Sequence, residues 1–235
     1  MTTTIRSSYA ESGPDSEWLV NQIAHALRNP IFAAMVQAEA LKLKVGDNEN
    51  LARSADMVYG QLKRLEGNVD EMLLLGRPAK LNLRSVELAT VVTTLAEGFR
   101  KGLLGDKVQV QPSIAEPQQP VTTDPEAVSI VLERLIRNAA QHSEPPHDVD
   151  LELGRHDPDD VVIAVRDHGS GIADELCDRV FLPFFPQHAG RPGLGLAVAA
   201  KFAHALGGHI EIETEPGVGT EARVVLPIGG PAPLT

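Results

Sequence analysis

Two runs of heptad spacing constrain this chain more than any other feature. Val20, Ala24, Leu27, Ile31, Ala34, Ala38, Leu41 and Val45 follow one another at alternating steps of four and three. Gly46-Asp47-Asn48 then interrupts with turn chemistry, and Leu51, Ala55, Val58, Leu62, Leu65, Val69 and Met72 repeat the same steps. A mean step of 3.5 residues keeps one apolar stripe on one side of an α-helix. The spacing therefore predicts two seamed helices and a short turn over residues 18–76. A lone hairpin buries its two stripes poorly, whereas two copies make a four-helix bundle, so the pattern predicts a homodimer through the hairpin.

One hexapeptide spoils the first helix. In HALRNP, His25 lies one residue after the seam position Ala24, Asn29 sits one turn further along the same face, and Pro30 follows. Proline removes a backbone donor and loosens the helix beside the histidine. That cost requires compensation. Taken alone, His25 reads first as a surface or core residue without function.

Gly76-Arg77-Pro78 closes the hairpin, and residues 80–229 have a mixed pattern. Helices are predicted at Val86–Lys101, Pro125–Gln141 (with proline in the first turn after Asp124) and Leu194–Leu206. Strands are predicted at Lys107–Gln111, Pro120–Thr122, Asp148–Leu153, Asp160–Arg166, His209–Thr214 and Thr220–Pro227. Helices bunched among antiparallel strands imply an α+β sandwich, with one helical layer on one sheet. The chain is thus expected to be multi-domain, with residues 1–17 and 230–235 as polar tails.

Composition narrows the function. Aromatic residues make up only 4% of the chain, so the cores are built from Ala, Val, Leu and Ile. A net charge of -11 argues against a surface that grips nucleic acid or an anionic membrane. The single cysteine, Cys177, excludes an intramolecular disulfide and fits a reducing, cytoplasmic compartment. No uncharged apolar run reaches the length of a membrane span, and residues 1–17 lack the apolar core of a secretory signal.

Three constellations in the second region bear on chemistry. Asn138 lies in an apolar helix, where a buried amide needs partners; it reads as a site residue or as a satisfied core amide. Asp167-His-Gly169-Ser-Gly171-Ile172 follows a strand and sets a carboxylate beside bare backbone. That arrangement suits an adenine amino group, and it also suits an ordinary glycine turn. Gly190-Arg-Pro-Gly193-Leu194-Gly195 opens a helix, where backbone amides and the helix dipole favour phosphate. It lacks both the Walker ending and the dinucleotide spacing.

Order and spacing bring these pieces together. Asn138, Asp167-x-Gly169-x-Gly171, Phe181-Leu-Pro183-Phe184-Phe185, Gly193-Leu194-Gly195-Leu196 and Gly217-x-Gly219-Thr220 succeed one another as in the ATP-binding domain of sensor histidine kinases, within the group that includes gyrase and Hsp90. HALRNP resembles the phosphoacceptor box of the same family, and the stretch from Phe181 onward looks most like its nitrogen-regulatory type. The resemblance covers about residues 18–229. It implies a dimeric helical hairpin followed by a sandwich of the histidine-kinase ATPase (Bergerat) type. It also implies that His25 takes the γ-phosphoryl group of ATP and passes it to an aspartate on a response-regulator receiver domain. Asn29 would position water for dephosphorylating that partner. Asn138, His142, Asp167, Gly169, Gly171, Ile172, Gly190, Gly193, Leu194, Gly195 and Thr220 would bind the nucleotide, with Asn138 on Mg²⁺. With only a short segment before the hairpin, a separate sensory protein is the expected source of the signal.

Three residues depart from the family pattern. Ala26 stands where a carboxylate usually follows the histidine, Arg134 where an asparagine one turn before Asn138 helps hold Mg²⁺, and Gln141 where a cation often meets phosphate. Arg191 reads either as a replacement cation or as a solvated loop charge. The alternatives are a histidine phosphotransferase with a degenerate ATP-binding domain, and a pure interaction module. The second leaves the histidine-bearing hairpin unexplained.

Overall fold

The computed structural model describes all residues except 1, 8–13, 45–47, 103–107, 116–118, 144–147, 186–192 and 233–235. The chain divides into two compact units, Glu11–Pro78 and Met1–Ala10 with Ala79–Thr235.

The first unit is the helical hairpin. Helix α1 spans Pro14–Lys44 and α2 spans Glu49–Gly76. The Asn48 side chain caps α2 by accepting from the Leu51 N–H at 3.2 Å, an interaction ordinarily worth about 1 kcal/mol. Alternate seam positions turn inward. Ala24, Val69 and Leu73 form a small core, with Val20 and Ile31 packed against it, and Ala38 and Ala55 are also buried. Two ion pairs tie the helices together, Arg28 to Asp70 and Lys42 to Asp56. Five other seam positions are left partly uncovered: Leu27, Leu41, Leu51, Val58 and Leu65 are 41–53% exposed. That is the uncovered stripe expected of a hairpin that lacks a second copy.

The second unit is one helical layer on a six-stranded sheet. Its elements are β1 (Thr3–Arg6), β2 (Arg84–Val86), α3 (Leu88–Arg100), β3 (Gln109–Ile114), β4 (Val121–Thr123), α4 (Pro125–His142), β5 (Asp148–Arg155), β6 (Asp160–Asp167), a 3₁₀ turn at Asp174–Arg179, α5 (Gly195–Ala205), β7 (His209–Glu215) and β8 (Gly219–Pro227). The large sheet runs β1-β7-β8-β6-β5-β3, and β2 pairs with β4 separately. Burial alternates along β5, β6 and β7, so one face is covered. Leu151, Leu153, Ile163, Ile210, Ile212 and Leu226 fill that face, and α3, α4 and α5 pack on it. Asp124 caps α4, its Oδ1 accepting from the Glu126 and Ala127 N–H groups at 2.8 and 3.2 Å. Its Oδ2 accepts from the Asn82 N–H at 2.7 Å, which fixes the chain entering the unit.

The structure corrects the sequence expectations in three places. Residues 1–17 are not all tail: Thr3–Arg6 forms β1, antiparallel to β7 with Thr3 opposite Thr214 and Arg6 opposite Glu211. The sheet is not wholly antiparallel, because β3 and β5 run parallel from Gln109/Asp148 to Ile114/Leu153. The first helix begins at Pro14, four residues before its expected start.

Candidate functional site

The strand end of β6 carries a buried carboxylate. Asp167 is only 4% exposed. Its Oδ1 accepts from the Gly169 N–H at 2.9 Å and from the Thr220 N–H at 3.3 Å. Both bonds fall on one oxygen, so among the described residues Oδ2 is left for an incoming donor. Burial pushes the Asp167 carboxyl above its ordinary range, and the two backbone donors only partly offset this. A carboxylate kept at that cost, with one oxygen unspent, suits a ligand amino group.

The glycines around it are required by space. A side chain at Gly169 would run into the His142 backbone carbonyl, and one at Gly219 into that of Asp167. Gly171 has φ of 67° and faces the Glu215 carbonyl. This left-handed backbone favours glycine, and any Cβ there would also collide. The turn between β7 and β8 is bonded to this loop, with the Gly217 N–H donating to the Ser170 carbonyl at 2.8 Å.

Thr214 ties these pieces together, and sequence reasoning missed it. It is 2% exposed. Its Oγ1 accepts from the Ile172 N–H at 2.9 Å and lies 3.2 Å from the Thr220 hydroxyl and 3.3 Å from the Gly219 carbonyl. The available signal was the inward alternation Ile210, Ile212, Thr214, which ends on a polar residue that must find partners.

The second glycine pair lies at the start of α5. Gly193 has φ of 64°, and a Cβ there would strike the Phe185 backbone. That contact joins the Phe181–Phe185 segment to the helix start, and the Arg179 guanidinium sits 4.4 Å from the Phe185 ring centre. Leu194 is buried and its carbonyl accepts the Val198 N–H at 2.9 Å. A Cβ at Gly195 would meet nothing within 4 Å among the described residues. Gly190 and Arg191 lie outside the described residues.

Helix α4 packs on α5 and presents Asn138 and His142, both half-buried. Arg134 is mostly buried and paired with Glu133 at 3.3 Å, and Glu133 also holds Arg137 at 2.9 Å. Among the described residues no group of three or more His, Cys, Asp or Glu side chains could hold a metal.

The histidine of α1 belongs to the other unit. His25, Ala26 and Asn29 are all exposed. His25 and Asn29 stand one helical turn apart, and Ala24 beside them points into the hairpin core. Pro30 lies within a helix that continues on both sides. Its ring nitrogen has no hydrogen to give the Ala26 carbonyl, the acceptor one turn back.

Comparison with known proteins follows the same division. Residues 18–80 match the His Kinase A (phospho-acceptor) domain family. Residues 123–230 match the histidine kinase-, DNA gyrase B- and HSP90-like ATPase family. The sensor histidine kinase ZraS of Salmonella typhimurium is 27% identical over 206 residues, 88% of this chain and 44% of that protein. Full-length ShkA in complex with AMPPNP superposes with a TM-score of 0.76 at 22% identity, covering 93% of this chain and 48% of that one. ThkA in complex with the response regulator TrrA gives a TM-score of 0.66 at 22% identity, covering 89% and 61%. At such identity these two structures speak for the fold. The chain spans under half the length of curated relatives such as ZraS.

Proposed function

The chain belongs to the sensor histidine kinases, and from that membership we propose that it is an ATP-dependent protein-histidine kinase that phosphorylates itself on His25. A neutral imidazole nitrogen of His25 attacks the γ-phosphorus of ATP. The bond to the β,γ-bridging oxygen breaks, ADP leaves, and the imidazole proton is lost to solvent. The phosphoryl group then passes to an aspartate of a response-regulator receiver domain, and Asn29 positions water when that aspartate is dephosphorylated.

One observation carries the nucleotide half of this reading. Asp167 is buried, raised in pKa and held through one oxygen only, so its other oxygen accepts the adenine amino group. Ile172 lies against the ring, and Gly169, Gly171 and Thr220 shape the pocket wall. The α5 start at Gly193–Gly195, with Gly190, takes the phosphates, and His142 borders the site from α4. Magnesium supplies charge neutralisation on the phosphates. Asn138 is the protein ligand we assign to it, and phosphate oxygens and water would complete the shell of such a hard cation. Arg134 cannot bind a cation.

The test is incubation with γ-labelled ATP and Mg²⁺, wild type beside His25→Ala. Acid-labile label on the wild type alone is expected, with label then leaving for a receiver domain. Asn29→Ala is expected to keep the label but slow dephosphorylation of the receiver. Equal labelling of His25→Ala would refute the assignment of the acceptor.

The working form we propose is a cytoplasmic homodimer closed over the exposed seam. Among the described residues no helix is long and apolar enough to cross a membrane. Burying one leucine is worth about 1.5–3 kcal/mol, and each seam residue occurs twice in a dimer. Leu65→Glu is therefore expected to raise the dimer dissociation constant by about 10²–10⁴-fold. Sedimentation velocity across a dilution series measures this, and an unshifted midpoint would place the dimer contact elsewhere.

A further inference from the structure

Strand β1 lies behind the site rather than in it, and nothing in the proposed chemistry uses it. It covers the outer edge of β7, the strand that carries Thr214. The register sets Thr3 directly opposite Thr214 and Ile5 opposite Ile212. The Ser7 N–H donates to the Ile210 carbonyl at 2.8 Å, and the Ser7 hydroxyl accepts from the Ile210 N–H at 2.8 Å. Antiparallel ladders alternate, so Ile5 and Thr3 occupy the hydrogen-bonded positions, while the Thr4 and Arg6 amides face away from β7.

Side chains extend the docking in two directions. The Arg6 guanidinium lies 2.8 Å from His209 Nε2 and 4.0 Å from the Glu211 carboxylate. At the other end, the Thr3 hydroxyl donates to Asp174 at 3.1 Å, in the 3₁₀ turn that follows Gly171 and Ile172. One four-residue strand thus holds both the strand under the glycine loop and the turn after it. Those two places are already joined at the site by the bond from the Ile172 N–H to Thr214.

We propose that β1 is a positioning element of the nucleotide site: docked on the β7 edge it fixes Thr214 and the Asp174 turn, and bound nucleotide in turn holds β1 in place. The coupling is reciprocal because affinities at two linked sites must change each other by the same factor.

The inference rests on the nucleotide reading above, and the experiment separates the two. Affinity for AMPPNP is measured on the full chain for wild type, Ile5→Pro and Thr4→Pro. Ile5→Pro removes a ladder donor, whereas proline at Thr4 replaces an amide that faces away from the sheet. The expected result is a loss of about fivefold or more for Ile5→Pro, at the low end of ordinary coupling between sites, with little change for Thr4→Pro. A synthetic peptide of residues 2–8 is expected to restore the affinity of Ile5→Pro in trans. Hydrogen exchange on the wild type needs no variant, and AMPPNP is expected to slow exchange at the Ile5 amide. Wild type that binds AMPPNP with no added protection at Ile5, or equal affinity in Ile5→Pro, overturns the role of β1 alone. Wild type that does not bind AMPPNP sinks the nucleotide reading and this inference with it.

Discussion

Replacing Ala26 with glutamate is expected to accelerate autophosphorylation of His25 by about 10²–10⁴-fold, the usual contribution of a positioned general base. Attack by a neutral imidazole requires its second nitrogen to shed a proton as the phosphorus bond forms. The residue after His25 is exposed alanine, which neither orients the ring nor takes that proton. The change is structurally inexpensive. Position 26 is solvent-facing and helical, and glutamate costs only a few tenths of a kcal/mol against alanine in a helix. The measurement is the initial rate of acid-labile labelling at saturating ATP. Ala26→Glu on a His25→Ala background should stay unlabelled. An unchanged rate in the single variant would mean that proton removal is not limiting, or that another carboxylate already performs it.

Asp167→Asn is expected to lose nucleotide affinity by about 10–100-fold while the fold holds. The amide oxygen can still accept from Gly169 and Thr220, so the loop keeps its shape. The amide nitrogen, however, now meets the adenine amino group as donor against donor. Hydrogen bonds to charged groups are worth about 1.5–3 kcal/mol, which sets the range. Stability should move the other way. A carboxyl whose folded pKa is raised contributes stability at low pH, and that contribution is lost as pH rises through the folded value. At neutral pH the ionised Asp167 is therefore a cost to the apo fold, and the neutral amide relieves it. The thermal midpoint of the variant should equal or exceed that of wild type. The same sign governs titration: wild-type affinity should fall on acidification, starting above the ordinary aspartate value of 3.8. A variant that unfolds, or that binds AMPPNP as wild type does, would remove Asp167 from the adenine pocket.

The readable parts of this chain were those in which local chemistry and tertiary structure agree. The heptad steps specify the hairpin because a 3.5-residue repeat has few other uses. Asp124-Pro125 marks the start of α4 because the cap and the proline act within one turn. The glycines at 169, 171 and 193 were legible because each sits where a Cβ would strike backbone. Strand β1 was illegible for the opposite reason. Thr3-Thr4-Ile5-Arg6 has one apolar residue, and only the free edge of β7 makes it a strand. Thr214 looked like any strand threonine, since its partners at Ile172 and Thr220 come from two other segments. The parallel pairing of β3 and β5 was hidden likewise, being set by the β4–α4 crossover between them.

The register of β1 also has a consequence for how the protein is made. Thr3 is made 211 residues before its partner Thr214. At ordinary elongation rates of about 5–20 residues per second, the strand waits roughly 10–40 s for the edge it pairs with. During that time it is an unpaired strand in a crowded cell, the kind of segment that seeds wrong pairings. Two threonines and an arginine around a single isoleucine make it a poor template for anything except its own edge. A more apolar strand would grip β7 harder once folded, but would be exposed to misassociation until that edge is made.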